Sequence, residues 1–365
     1  MPSKTLLDAL KSIENPSKGS KRYTTILKCV LITSHEDAVT LTTTDMASVS
    51  CQITVPATVI TSGALAVPVK VLKAALPSAR GDQGTVTVVS NDNSSVDVVC
   101  SSSSSKLSTL NADDFPNFPE DFYSQTVALD LPAISSIISA ASKEEWRPIL
   151  TTVCFDGSKV VATDSYQMNI CHTPLMHVES DSNIGETEML MVPAQLLASV
   201  VKKDAAVMCI GKHTVTITDN TGMITVISRV EGSYVKYDWL IPEAPLGLLS
   251  FDRDMMLAGI KTIVGTIPAA DRNIKSVTIT EDSGQMKLSY AGVNGGILSE
   301  TSFPGRLSPG VEKISFNAYR LGRLLDGYPF AGMNGKNQFK PCSVHHTDAE
   351  GRIHTRILMP TQSHS

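Results

Sequence analysis

Eight histidines, seven cysteines and one glycine-rich stretch are the residues in this 365-residue chain most able to do chemistry. A nucleophile needs an activating base, a metal needs ligands at fixed spacing, and a phosphate cradle needs glycines between a strand and a helix. The sequence contains no HExxH, GxSxG, Walker A or GxGxxG pattern. Gly292-Val-Asn-Gly-Gly296 follows a strand-like run but leads into no good helix, which argues against a phosphate cradle. His345 and His346 are adjacent in a strand-like run, so their rings point to opposite faces, a poor geometry for a shared metal. Cys29, Cys51, Cys100, Cys154, Cys171, Cys209 and Cys342 are odd in number, scattered and free of any CxxC pair. Most sit in strand-like runs, where a free thiol acts as a small hydrophobe. The expectation is a protein with no catalytic residue, no metal and no cofactor, whose business is binding.

Composition narrows what is bound. Hydrophobic residues make up 42% and charged residues 18%, with a net charge of −5. The chain can build cores, and its charge falls below the roughly 25% of a typical soluble protein, which excludes a disordered polyelectrolyte. An acidic total also excludes coating of nucleic acid by bulk charge, though not a local basic surface. No apolar run reaches the ~18 residues of a membrane span, and Met1 to Asn15 carries acids and lacks a basic-then-apolar signal pattern. The expected location is cytoplasmic.

The elements that would position a binding surface are repeated. A strand ending in Thr-Asp occurs at Val39 to Asp45 and again at Lys159 to Asp164. Val67-Pro68 opens an amphipathic run that returns at Val192-Pro193, with Pro expected at the first helical position, where its missing N–H costs nothing. Both copies close on an aromatic, Pro-rich stretch, Phe115-Pro-Asn-Phe-Pro119 and Tyr237-Asp-Trp-Leu-Ile-Pro242. A fainter third copy has a helix from Phe251 to Val264, a hairpin over Ser276 to Tyr290 turning at Asp282-Ser283-Gly284, and a second helix from Phe316. Two last strands follow, at Cys342 to His346 and Arg352 to Met359. Period-2 runs such as Thr85 to Val89 and Thr214 to Thr218 read as strands. The serine run Ser101 to Ser105 lies between strand-like segments and reads as a polar strand edge or bulge rather than a linker. Spacings near a third of the chain predict three tandem α+β domains, 1–122, 123–245 and 246–365, each with two helices and several antiparallel strands.

In their order and spacing these segments resemble the bacterial β sliding clamp, the processivity subunit of DNA polymerase III. The resemblance rests on Trp146-Arg-Pro-Ile-Leu150, Val161 to Met168, Val192 to Leu197, Phe115 to Pro119, Asp238 to Pro242 and Ile357-Leu-Met-Pro360. It runs the length of the chain, clearest in the middle third and poorest over Gly292 to Pro309 and Gly332 to Lys340. It implies a homodimeric ring closed head to tail, with the first domain of one chain against the third of the other. Antiparallel sheets would lie outside, and two helices per domain would line a hole for duplex DNA. The implied partners are DNA without regard to sequence, a replicative DNA polymerase and a clamp loader. The rival from another class is a clamp-like interaction protein that binds replication partners without encircling DNA.

The resemblance also implies sites. Partner peptides would occupy a groove between the second and third domains lined by Leu150, Thr163, Ser165, Tyr166, Gln167, Met168, Pro242, Ile357, Met359 and Pro360. Leu150, Met168 and Ile357 read equally well as core. DNA would face Lys70, Lys73, Arg80, Lys202, Lys203, Arg320 and Arg323, with Lys21 and Arg22 as equal candidates in the loop from Lys18. The six proposed helical segments total +4, leaving −9 for the remainder, the asymmetry that weak, salt-sensitive sliding on phosphates requires. Two departures from the family stand out. Ser165, Tyr166 and Gln167 replace a stretch that often holds Gly, His and Arg. Thr361 to Ser365 replaces a usual ending in a large apolar residue, Arg and Leu. A divergent groove implies a divergent partner set, as in a phage-borne or plasmid-borne clamp.

Overall fold

Short apolar-alternating runs separated by Asp, Asn and Gly turns form strands, and a computed structural model arranges them in three antiparallel sheets. The structure describes residues 1–14, 16, 25–76, 84–92, 94–101, 103–179, 189–241, 247–267, 276–291, 297–327 and 332–361. In the first third, helix α1 (Ser3–Ser12) precedes β1 (Cys29–Ser34), β2 (Ala38–Thr44), β3 (Val49–Pro56) and β4 (Ala64–Pro68). Helix α2 (Val69–Ala75) then precedes β5 (Thr87–Asp92), β6 (Ser95–Cys100) and β7 (Ser103–Ser108). After β8 (Tyr123–Ala128), the second third runs α3 (Leu131–Ile137), β9 (Thr152–Asp156), β10 (Lys159–Thr163), β11 (Gln167–His172) and β12 (Leu190–Pro193). It continues with α4 (Ala194–Val200), β13 (Ala206–Gly211), β14 (Thr214–Asp219) and β15 (Ile224–Ser228). After β16 (Gly247–Phe251), the last third runs α5 (Arg253–Thr266), β17 (Ser276–Asp282), β18 (Gln285–Ala291), β19 (Ile297–Leu307) and β20 (Lys313–Asn317). It ends with α6 (Ala318–Leu325), β21 (Gly332–Gly335), β22 (Cys342–Thr347) and β23 (Ile353–Leu358). Among the described elements the order helix, four strands, helix, three strands thus occurs three times.

The packing does not follow the thirds. One compact unit holds Met1–Leu131 with Ser199–Arg229, and a second holds Pro132–Ala198 with Val230–Ser365. The first unit contains an eight-stranded sheet, β4-β1-β2-β3-β15-β14-β13-β8, and the separate sheet β5-β6-β7. The second contains twelve strands in the order β12-β9-β10-β11-β23-β22-β21-β16-β19-β18-β17-β20. In the first unit β3 pairs with β15, joining the first third to the second. In the second unit β11 pairs with β23, joining the second third to the last.

Local chemistry accounts for the elements. Helix α5 is capped by Asp252, whose Oδ1 accepts from Met255 N at 2.9 Å. Helix α6 is capped by Asn317, whose Oδ1 accepts from Tyr319 N and Arg320 N, both at 3.1 Å. Ala318, Leu321, Leu324 and Leu325 form its buried stripe. Its far end is held by Arg356 of β23, which donates from Nη1 to the carbonyls of Arg323, Leu324 and Asp326. The expected hairpin turns where predicted, with Ser283 and Gly284 both at positive φ between β17 and β18. The prolines differ from expectation. Pro68 and Pro193 are the last residues of β4 and β12, still paired with Cys29 and Thr152, and the helices start one residue later. At Pro68 the backbone is extended, φ −58° and ψ 121°, so strand passes directly into helix. The serine run is β7, preceded by a turn at Ser101 and lying at the edge of its sheet.

In the second unit Met256, Ile260, Ile263, Leu288, Phe316 and Leu321 lie in one core. Cys154, Val161, Met168, Ile170, Met191, Tyr234, Tyr237 and Ile357 form another. All seven cysteines are free thiols and six are buried. Burial pushes Cys29 up to about 11 and Cys51 and Cys342 up to about 12, so these thiols stay protonated and unreactive. Among the described residues no helix is long and apolar enough to cross a membrane, and no three His, Cys, Asp or Glu side chains cluster to hold a metal.

Candidate functional site

The turn from β10 to β11, in the second unit, is shaped by Thr163 and Asp164. Thr163 Oγ1 accepts from Ser165 N at 3.2 Å and donates to Gln167 O at 2.7 Å. Asp164 Oδ1 accepts from Tyr166 N and Gln167 N, both at 2.9 Å. These bonds hold Ser165 at φ 76°, a left-handed conformation that costs a non-glycine residue about 1–2 kcal/mol. The turn lifts Tyr166 into solvent, where it is 57% exposed. Beyond it, Met168 of β11 faces Ile357 of β23, and Met359 N donates to Tyr166 O at 2.9 Å.

That strand pairing gathers Thr163, Ser165, Tyr166, Gln167, Met168, Ile357, Met359 and Pro360 from two distant parts of the chain. Met168 and Ile357 are buried and belong to the core beneath, so they form a floor, while Met359 and Pro360 are half-buried at its edge. Leu150 is buried in the short turn Pro148–Thr151, which packs on β10. Pro242 lies outside the described residues.

Two arginines flank this turn. Arg320, in the first turn of α6, donates from Nε and Nη2 to Asp164 Oδ2 at 3.2 and 3.1 Å, and its guanidinium carbon sits 4.6 Å from the centroid of the Tyr166 ring. Arg147 donates from Nη1 to Ser165 Oγ at 3.1 Å, with its guanidinium carbon 4.0 Å from the Trp146 ring centroid. Sequence reasoning assigned Arg320 to DNA because it stands on a basic helix. Its carboxylate partner lies 156 residues away, and no local pattern reports a contact at that separation. Arg147 was within reach, since Trp146-Arg147-Pro148 is among the segments that carry the resemblance in sequence.

The residues expected to face DNA fall into three groups. Lys70, Lys202 and Arg323 are exposed and have no ion-pair partner among the described residues. Lys73 Nζ lies 2.7 Å from Glu14 Oε2, and Lys203 Nζ lies 2.9 Å from Asp219 Oδ2, so both charges are already balanced, as Arg320's is by Asp164. Burial alone would raise the Asp219 carboxyl, but bonds from Thr221 and Lys203 together hold it below the usual carboxylate range. Lys21, Arg22 and Arg80 lie outside the described residues.

Residues 3–119 match the family model described as the DNA polymerase III beta subunit, N-terminal domain. No curated protein matches the chain. Among solved structures, a DnaN sliding clamp (DNA polymerase III subunit beta) from Bartonella birtlesii bound to griselimycin superposes with a TM-score of 0.84 at 17% identity, covering 99% of this chain and 98% of that one. A DNA polymerase sliding clamp from Caulobacter crescentus gives 0.83 at 19% identity with the same coverage. A putative DNA polymerase III beta subunit from Eubacterium rectale gives 0.82 at 16%, again over 99% and 98%. The chain thus carries, from end to end, the α+β fold of the bacterial DNA polymerase III β sliding clamps in a divergent sequence, and its first third matches that subunit's N-terminal domain.

Proposed function

We propose that this protein is a DNA sliding clamp, a non-catalytic processivity factor acting in the cytoplasm. Each chain contributes three domains, 1–122, 123–245 and 246–365, and two chains close head to tail around duplex DNA. The ring tethers the replicative polymerase and receives its clamp loader through the groove around Tyr166, Met168, Ile357 and Met359. The observation that carries this reading is the likeness of fold over the whole chain. The strand pairings β3·β15 and β11·β23 support it, since they join successive thirds edge to edge, as a ring built from such domains requires. The exposed cations Lys70, Lys202 and Arg323 support a weak phosphate contact that does not read bases.

Light scattering at micromolar concentration should report twice 39.1 kDa. The protein, loaded on nicked circular duplex, should be retained there and lost when the circle is cut. A stable monomer that still binds a polymerase peptide would favour an interaction protein that never encircles DNA. A monomer that binds no such peptide would sink both readings.

A further inference from the structure

The first unit contains a cavity of about 480 Å³, lined by the end of β2 and the turn after it, the start of β3, the start of β14, β15 and the Pro-rich stretch after β7. That volume lies within the roughly 300–1,000 Å³ of small-ligand sites. Its position is fixed by the repeat. Ser228 N donates to Ser48 O at 2.9 Å, as Met359 N does to Tyr166 O. Val226 faces Ser50 across the β15–β3 pairing, as Ile357 faces Met168 across β23–β11. Thr44 begins the turn here, as Thr163 does there. The cavity is therefore the first-to-second-third counterpart of the candidate groove.

The lining states what would fit. Thr44, Val49, Ser50 and Val226 are buried and make the floor, while Met46, Ala47 and Asn117 are exposed at the mouth and Pro116 and Pro119 are half-buried. Among the described residues no charged side chain lines it, so a charged ligand would be desolvated there without a counter-ion. Thr44 Oγ1 and Ser50 Oγ lie 2.7 Å apart, and Thr44 Oγ1 also accepts from Met46 N at 3.0 Å. Two hydroxyls carry two protons, and their mutual bond uses one. Among the described residues the other proton has no acceptor, whereas the Thr214 and Ser228 hydroxyls, which also line the cavity, already donate to Asp121 Oδ2 and to the Ala47 carbonyl, so the floor offers one free hydroxyl donor beside Val226, Pro116 and Pro119.

We propose that this cavity is a second peptide site, for a short, extended, uncharged partner segment. Its aliphatic side chain lies between Val226, Pro116 and Pro119, and its backbone carbonyl accepts from the Thr44–Ser50 pair. The location follows from the repeat and the ligand class from the cavity's own lining, so the inference holds whether or not the ring forms. The test is methionine-methyl NMR on the full chain, titrated with acetyl-Leu-Leu-amide. Met46 reports the cavity, and Met359 reports the candidate groove. The Met46 signal should shift and saturate with a dissociation constant of about 1 mM or tighter. Asn117→Trp should narrow the mouth and weaken that response at least about fivefold, and Thr44→Val with Ser50→Ala should do the same by removing the donor, the factor expected of one hydrogen bond. The Met359 signal should behave alike in all variants. An unmoved Met46 at about 10 mM probe, a shift of Met359 alone, or an Asn117→Trp response equal to the parent's would overturn the proposal. If the Thr44, Ser50 double variant fails to fold, Asn117→Trp decides.

Discussion

The Thr44-Asp45 and Thr163-Asp164 turns start from the same two residues and diverge in what the rest of the chain brings to them. In the first, Asp45 is fully occupied locally. Its Oδ1 accepts from the amides of Ala47, Ser48 and Val49, and its Oδ2 from the Ser48 hydroxyl at 2.5 Å. In the second, Oδ1 makes the same kind of turn while Oδ2 takes Arg320 from α6. The floors differ as well, a small hydroxylated Ser50 facing Val226 in the first and bulky apolar Met168 facing Ile357 in the second. A short motif therefore builds the turn, and the specificity of the surface comes from strands and helices delivered from elsewhere.

The largest effect should come from the apolar floor and edge. Met168→Ala with Met359→Ala should cost about 2 kcal/mol or more in affinity for a peptide from the protein's own polymerase, measured by calorimetry. The Met46 response to the dipeptide probe, the dimer mass and retention on circular DNA should stay unchanged. Full peptide affinity in that variant would remove the groove assignment.

The carboxylates should separate next. Asp164→Ala removes turn acceptors and strands a half-buried arginine, and should cost about 2 kcal/mol in urea unfolding. Asp45→Ala removes turn acceptors only and should cost about 1 kcal/mol. Combined with Arg320→Ala, Asp164→Ala should be clearly non-additive and Asp45→Ala additive. Equal costs, or equal additivity, would erase the distinction drawn between the turns.

A smaller, pH-dependent contrast concerns Asp348 in the second unit. Burial alone would raise its carboxyl, but bonds from the His354 ring, the Arg352 amide and the Arg352 guanidinium hold it far below the usual range. A depressed folded pKa stabilises the native state above the unfolded value of about 4, and that contribution disappears as pH falls through the folded value. Asp348→Asn should therefore lower stability at neutral pH and flatten the acid limb of a stability-against-pH curve. An unchanged acid limb would show that the clasp contributes nothing. The smallest effect should be electrostatic. Lys70→Ala should reduce the salt slope of DNA retention by about 0.9, and Lys73→Ala by less, because Glu14 already balances that charge. Equal slopes would indicate that Lys73 leaves Glu14 for phosphate.

Sequence made the repeat legible because its signals are local: Thr-Asp after an apolar strand, Asp282-Ser283-Gly284 between alternating runs, and aromatic, Pro-rich stretches at Phe115 to Pro119 and Tyr237 to Pro242. It misplaced Pro68 and Pro193 by one position, since a proline ending a strand and one starting a helix look alike when the two elements abut. It could not pair Arg320 with Asp164, which lie in different repeats, or fit Arg356 to the end of α6, a contact across 30–33 residues of the last third, because neither separation leaves a local pattern. The cavity of the first unit was within reach. Aligning Thr44 with Thr163 and Phe115 to Pro119 with Tyr237 to Pro242 already implies a second concave junction, provided each junction is expected to resemble the next.

The modules of the sequence and the modules of the packing are out of phase. A fragment ending at residue 122 would contain β3 without β15, and one beginning at residue 246 would contain β23 without β11, each leaving a raw hydrogen-bonding edge able to recruit another strand. Neither packed unit is a continuous stretch of chain either, since the polypeptide crosses between them after Leu131, Ala198 and Arg229. A chain whose pattern repeats three times is thus packed so that cutting at the repeat boundaries breaks its sheets. Engineers seeking a minimal fragment would have to splice, not truncate.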